Sequence, residues 1–433
     1  MTNLNYKIYK ISDSVTLSHI KTDKFKKARL TVTFFSVADK EESPKTSMLI
    51  PIAFLGSEKY PDFRSVCCRA EELYAADLSE INTLSGCYHI TGLCASMLNE
   101  EYVSEDDKNN GFSVIEGVFE ELSAILKNPL FREHDVETEK ANRINRIRSR
   151  QNEAFGYAKY RFLTEMQGDA PGGFSLGGEI SQVEAYTPEI LREHHRKMLS
   201  SAPFEFFYCG SADAEKIIEL IKKYFGGIGG AHIPADYNPR LSADTPKYIS
   251  ESGQYRQGNL LVGFRTATRL SDADYYAMEL MNQVFGESPS SKLFMNVREK
   301  RSLCYFCASS YDELKGTLAV GCGIDNSAYE EALSEILFQL EEIKNGNITD
   351  EEINAAKEAL ESDCREAEDH PIDYENFGRV ERLFGGPTDI EEYRRGIISV
   401  TLEDISAAAR KLTLDTVYFL KGELCGEDGD IFE

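Results

Sequence analysis

The chain has 433 residues, is 42% hydrophobic and 28% charged, and carries a formal net charge of −25. That length suits two domains of about 200 residues better than one core. The acidic balance excludes nucleic acid as the expected partner, because gripping phosphates needs clustered Lys and Arg. No run approaches the roughly 18 apolar residues of a membrane span, so no membrane partner is expected.

The first ten residues have no apolar leader core. The ten cysteines lack a disulfide-scaffold rhythm, and Cys87, Cys94, Cys209 and Cys322 sit inside apolar stretches. Reduced thiols in a cytoplasmic setting are the expectation.

In chain order, residues 30–37 are rich in β-branched and aromatic side chains and predict a strand. Residues 64–76 predict a helix. Gly86 opens an apolar stretch at Tyr88, residues 104–110 form an acidic loop, and residues 113–127 place Ile115, Phe119, Leu122 and Leu126 on one helical stripe. A polar turn at Asn128 and Pro129 leads into a more charged helix near Asp135. Thr187-Pro188-Glu189-Ile190 follows, then the strand-like run Phe206 to Gly210. This order returns in the second half. Gly316 opens an apolar stretch at Thr317, and Leu333, Ile336, Leu337, Leu340 and Ile343 make the stripe. Thr349 to Glu352 reads as a capping box, Thr401-Leu402-Glu403-Asp404-Ile405 repeats the threonine start, and Tyr418 to Gly422 repeats the strand. The spacing between copies changes only slightly, as small indels would cause; the surplus at Gly86/Gly316 falls on residues 104–110.

The predicted fold class is therefore α+β: two homologous domains, each a mainly antiparallel sheet with helices on one face. A Gly- and Pro-containing linker at 226–246 separates a domain at 1–225 from one at 247–433. Two copies imply a two-lobed body with a face or chamber between the lobes.

Motifs for chemistry are mostly negative. Neither His-Glu-x-x-His nor His-x-x-Glu-His occurs, although that spacing is what aims two imidazoles at one ion. The adjacent pair His194-His195 diverges by about 100° on a helix. Ser175 sits in a Gly-x-Ser-x-Gly run, but the flanking glycines predict a loop rather than a nucleophile elbow. Cys304 and Cys307 lie in a strand-like run where alternation puts their thiols on opposite faces, which argues against redox or metal chemistry. Arg298 ends a predicted helix beginning near Ser291, and Tyr305 starts the next strand. Arg offers a planar fork of donors and Tyr a hydroxyl able to steady an oxyanion.

The duplicated halves, the Gly56-Ser57-Glu58-Lys59-Tyr60-Pro61 segment and the Ser291 to Tyr305 segment together resemble the insulinase-like (pitrilysin-type) metallopeptidase family, and most resemble its small bacterial YmfF-type members without a zinc motif. In active members His-x-x-Glu-His comes just before a segment like that at Gly56. Those positions fall here on Ser47, Ile50 and Pro51, and the third ligand's position falls on about Asn145 or Arg146. The resemblance thus implies no catalytic group, metal or cofactor of its own, with zinc only in a partner subunit. It also implies that Arg298 and Tyr305, seven positions apart as in the family, contact the substrate backbone. The expected partners are an unfolded peptide and a zinc-bearing homologous subunit, or a second copy in a dimer. The expected function is a non-catalytic, substrate-binding peptidase subunit; the alternative is a non-enzymatic peptide- or protein-binding scaffold, and the least expected is a serine hydrolase using Ser175.

Overall fold

The computed structural model describes residues 6–230 and 239–423. The middle of the expected linker, residues 231–238, lies outside them. The chain forms two compact units, one from 1–148 with 174–236 and the other from 149–173 with 237–433.

The first unit holds strands β1 (Tyr6–Lys10), β2 (Val15–Lys21), β3 (Lys27–Val37), β4 (Asp77–Ser85), β5 (Tyr88–Leu98) and β6 (Phe204–Gly210), ordered β1-β2-β6-β3-β5-β4. The second holds β7 (Lys247–Gly253), β8 (Gly258–Arg265), β9 (Cys304–Asp312), β10 (Thr317–Ile324) and β11 (Thr413–Gly422), ordered β7-β11-β8-β10-β9. Without β1 the two orders are the same. The one parallel pairing in each sheet, β2 with β6 and β7 with β11, also falls in the same place. The sequence repeat is thus a repeat of topology, in two mixed, mainly antiparallel sheets.

Local signals explain why both copies fold alike. The matching hairpins β4–β5 and β9–β10 turn at Gly86 (φ 55°) and Gly316 (φ 63°), left-handed positions that a side chain would strain. Thr187 and Thr401 cap matching helices, accepting from the backbone N–H of Ile190 and Asp404. The capping box at Thr349 forms as its spacing predicts. The stripe of helix Val114–Lys127 is buried in the first core at Ile115, Phe119, Leu122 and Leu126. One local expectation fails: within residues 104–110 the chain closes a helical turn, Glu105–Asn109, because Ser104 accepts from the Asp107 N–H.

The second unit contains an element from the first half of the sequence. Helix Ala154–Gln167 lays Ala158, Phe162 and Met166 on Leu261, Tyr418 and Leu420, covering the sheet face opposite the main core. This is why β8 is buried along its whole length. Gly263 makes room for it, since a Cβ there would lie 2.6 Å from the Phe162 ring. Arg161 fastens the helix, its Nε donating to Glu251 at 2.9 Å. Among the described residues no helix is long and apolar enough to cross a membrane.

Candidate functional site

Ser47, Ile50 and Pro51 lie on helix Ser43–Leu55. The Ser47 hydroxyl donates back to the Pro44 carbonyl at 2.9 Å, and Ile50 is packed into the first core. Pro51 has no N–H, so it cannot donate to the carbonyl four residues earlier, which is that of Ser47. A buried carbonyl without a partner would be costly. Arg143 supplies the donor: its Nη2 reaches the Ser47 oxygen at 2.8 Å and Glu139 Oε1 at 3.0 Å. A guanidinium therefore mends the break that the proline makes.

Arg143 and Glu139 are both buried on helix Glu133–Ser149. Arg146 reaches the same carboxylate from the rim at 3.0 Å, with half its side chain exposed. Asn145 and Arg146 point outward, so Glu139 and Arg143, rather than either of those, are the groups of this helix that face Ser47. Burial raises the Glu139 pKa against the pull of Arg143 and Arg146. Burial also lowers that of Arg143, with Glu139 opposing. Beside them His89 donates through Nε2 to Asn82 Oδ1 at 2.7 Å. Burial, with lesser contributions from His194 and Arg143, pushes the His89 pKa down to about 4. Sequence reasoning missed Glu139, Arg143 and His89. The available signal was Pro51 itself, which announces an orphaned carbonyl at Ser47 but not which cation answers it.

The adjacent histidines of helix Pro188–Ser201 diverge. His194 Nε2 meets Thr46 Oγ1 at 2.7 Å, whereas His195 Nε2 donates to the Leu126 carbonyl at 2.7 Å. Ser175 sits in a loop and its Oγ accepts from the Gly177 N–H; no strand-to-helix elbow surrounds it.

In the second unit Arg298 lies in a π-helical turn, Phe294–Lys300, a conformation that recurs at functional sites. Its guanidinium covers the Phe294 ring at 4.6 Å and its Nε lies 3.7 Å from Glu299. Tyr305 is 78% exposed. The register explains this. Gly323 pairs with Phe306 and Ile324 with Cys304, so Tyr305 is an extra residue on β9, a β-bulge. Because β9 pairs with β10 alone, its outer row of backbone groups faces no other strand among the described residues.

The bulge also overturns the alternation argument for the cysteines. One extra residue reverses the faces, so Cys304 and Cys307 point the same way. They meet Cys322, which lies directly opposite Cys307 on β10. All three sulfurs lie within 4.8 Å of one another.

A duplicated α+β body whose helix Ser43–Leu55 holds no metal-ligating pair agrees with the resemblance to metallopeptidase-like proteins that lack the zinc motif. A profile described as the Peptidase M16 inactive domain matches residues 185–360. The chain is similar to this insulinase-like peptidase family over that segment, and the zinc-motif positions carry no metal-ligating residue. It is 29% identical over 411 residues to the "Probable inactive metalloprotease YmfF" of Bacillus subtilis, covering 94% of this chain and 96% of that protein. It is 25% identical over 295 residues to an "Uncharacterized zinc protease" of Streptomyces coelicolor, covering 66% of this chain and 64% of that one. A conserved protein of Enterococcus faecalis superposes with a TM-score of 0.90 at 25% identity, over 98% of this chain and 100% of that one. A peptidase M16 inactive domain of Pseudomonas fluorescens superposes at 0.78 and 16% identity, over 98% and 100%, and supports the fold.

Proposed function

We propose that this chain is the zinc-free, peptide-binding subunit of an insulinase-like peptidase, working with a zinc-bearing homologue. The partner would supply the metal-activated water. This chain's own groups grip the substrate. The outer row of β9 takes the peptide as an added strand, which gives affinity through the backbone with loose sequence preference. Arg298 orients the peptide by hydrogen bonds to its carbonyls. The Tyr305 hydroxyl donates to the scissile carbonyl oxygen as negative charge develops there.

The observation that carries this reading is the contrast between the two sites. The positions of the zinc motif offer no metal ligand, since Ser47 donates to Pro44, Ile50 packs into the core and Pro51 breaks a helical bond that Arg143 mends. The bulge, by contrast, leaves Tyr305 exposed seven residues after Arg298, on a strand that pairs with β10 alone among the described residues. The test is co-purification with a zinc-bearing homologue and a peptidase assay of the reconstituted pair. Arg298→Ala with Tyr305→Phe should lower the turnover of the pair while leaving assembly intact; unchanged turnover rejects the mechanism. The same edge also suits a non-enzymatic peptide- or protein-binding scaffold. Light scattering that shows a stable homodimer ignoring the homologue would favour that reading.

A further inference from the structure

Cys304, Cys307 and Cys322 converge on the core side of the second sheet, where neither proposed role uses them. Among the described residues they are the one group of possible metal ligands that comes together, and no histidine or carboxylate joins them. Cys307 and Cys322 are buried, and Cys304 is partly exposed at the strand start. Val297 and Ile324 belong to the same apolar cluster, against which Leu303 and Cys304 pack.

The geometry points to a trigonal binding site for monovalent copper on these three sulfurs, unconnected with the zinc of the peptidase family. An ion at their centre lies no more than about 2.8 Å from each sulfur, given separations within 4.8 Å. Metal–thiolate bonds are about 2.3 Å, so each sulfur needs to move inward by roughly half an ångström. A disulfide would need two sulfurs to close to about 2.05 Å, a larger shift in a packed core. The donor set selects the ion. Three soft thiolates with no nitrogen or oxygen partner favour monovalent copper, whereas zinc in a closed site takes four ligands.

Uptake of the ion releases the thiol protons to water, and no redox change is involved. The Tyr305 bulge builds the site, since a regular β9 would turn Cys304 to the other face.

The test uses the full chain with Cys67→Ser and Cys68→Ser, which removes the exposed vicinal thiols. The probe is monovalent copper presented anaerobically as its bathocuproine disulfonate complex. One equivalent should transfer to the protein with a near-ultraviolet thiolate-to-copper charge-transfer band. C304S, C307S and C322S should each weaken retention by more than about 100-fold, beyond the effect of outer-shell changes, whereas C364S should leave it unchanged. C304S is the decisive variant because its side chain is partly exposed and its fold can be confirmed by circular dichroism. Failure to withdraw copper from the chelator, equal retention by a folded C304S, or preferential retention of zinc in the same competition overturns the assignment.

Discussion

Pro51 and Arg143 depart from ordinary helix chemistry together, and each explains the other. Pro51 leaves the Ser47 carbonyl without its helical donor, and Arg143 provides one at 2.8 Å while holding buried Glu139. Arg143→Met should therefore destabilise the first unit by about 3–5 kcal/mol, the usual effect of leaving a buried charge without its inner partner. In a Pro51→Ala background the backbone satisfies Ser47 again, so the same change should cost about 1–3 kcal/mol less. Urea denaturation of the four proteins measures the difference, and strictly additive effects would separate the two residues. This pairing was only half legible in the sequence. A proline four residues after Ser47 states that a carbonyl is free. The donor comes from a helix far along the chain, where the resemblance marks only a zinc-ligand position at about Asn145 or Arg146 and gives no sign that Arg143 faces inward.

Glu121 makes a second argument at this scale. It is 0% exposed on helix Val114–Lys127, and neither carboxylate oxygen has a hydrogen-bond partner. Burial raises its pKa to about 7, against opposition from Arg69. Between pH 4.5 and 7 the folded state holds this proton more tightly than the unfolded chain does. Stability therefore falls as pH rises through that window and is level in this respect above it. The full loss is on the order of 3 kcal/mol. Glu121→Met should remove it, so the variant's advantage over the native protein should grow from pH 4.5 to above 7 and then stay constant. Parallel denaturation midpoints across pH would show that the carboxyl is not buried as a lone acid.

At the scale of elements, the repeat was readable because its signals are local. Gly86 and Gly316 need left-handed backbone, Thr187 and Thr401 need to cap, and each acts within a few residues. The assignment of helix Ala154–Gln167 to the second unit was not readable. The sequence places Phe155, Ala158, Phe162 and Met166 on one helical face, but periodicity says only that a face is buried, not against which sheet. The Tyr305 bulge was hidden for a related reason. Alternation is a rule for regular strands, and an extra residue shows only in the partner's register. The helix carries a test. Phe162→Ala removes a fully buried ring packed over Gly263 and should cost about 3–5 kcal/mol. A fragment of residues 247–433 should expose Leu261, Tyr418 and Leu420 and bind a hydrophobic dye. Adding a peptide of residues 149–173 should suppress that binding; a fragment that stays soluble and dye-free alone would show that the helix is dispensable to this unit.

For the whole molecule, the net charge of −25 acts on every encounter before any contact forms. Under the proposed function, strand addition at β9 would be indifferent to side chains on the incoming peptide, so preference among peptides would have to come from elsewhere. A field of this sign raises the local concentration of cationic peptides and repels anionic ones, and salt screens it with a Debye length of about 8 Å at physiological ionic strength. Peptides of matched length should therefore associate faster when rich in Lys and Arg, by about tenfold or more at low salt, and the advantage should shrink as salt rises. Arg298→Ala separates steering from gripping. It removes one local donor and hardly alters the global field, so it should speed dissociation while leaving the salt dependence of association in place. Stopped-flow anisotropy with a basic and an acidic peptide reads both rates. If association is the same for the two peptides at low salt, the net charge does not steer peptides to this chain, and substrate choice would fall to the proposed zinc-bearing partner.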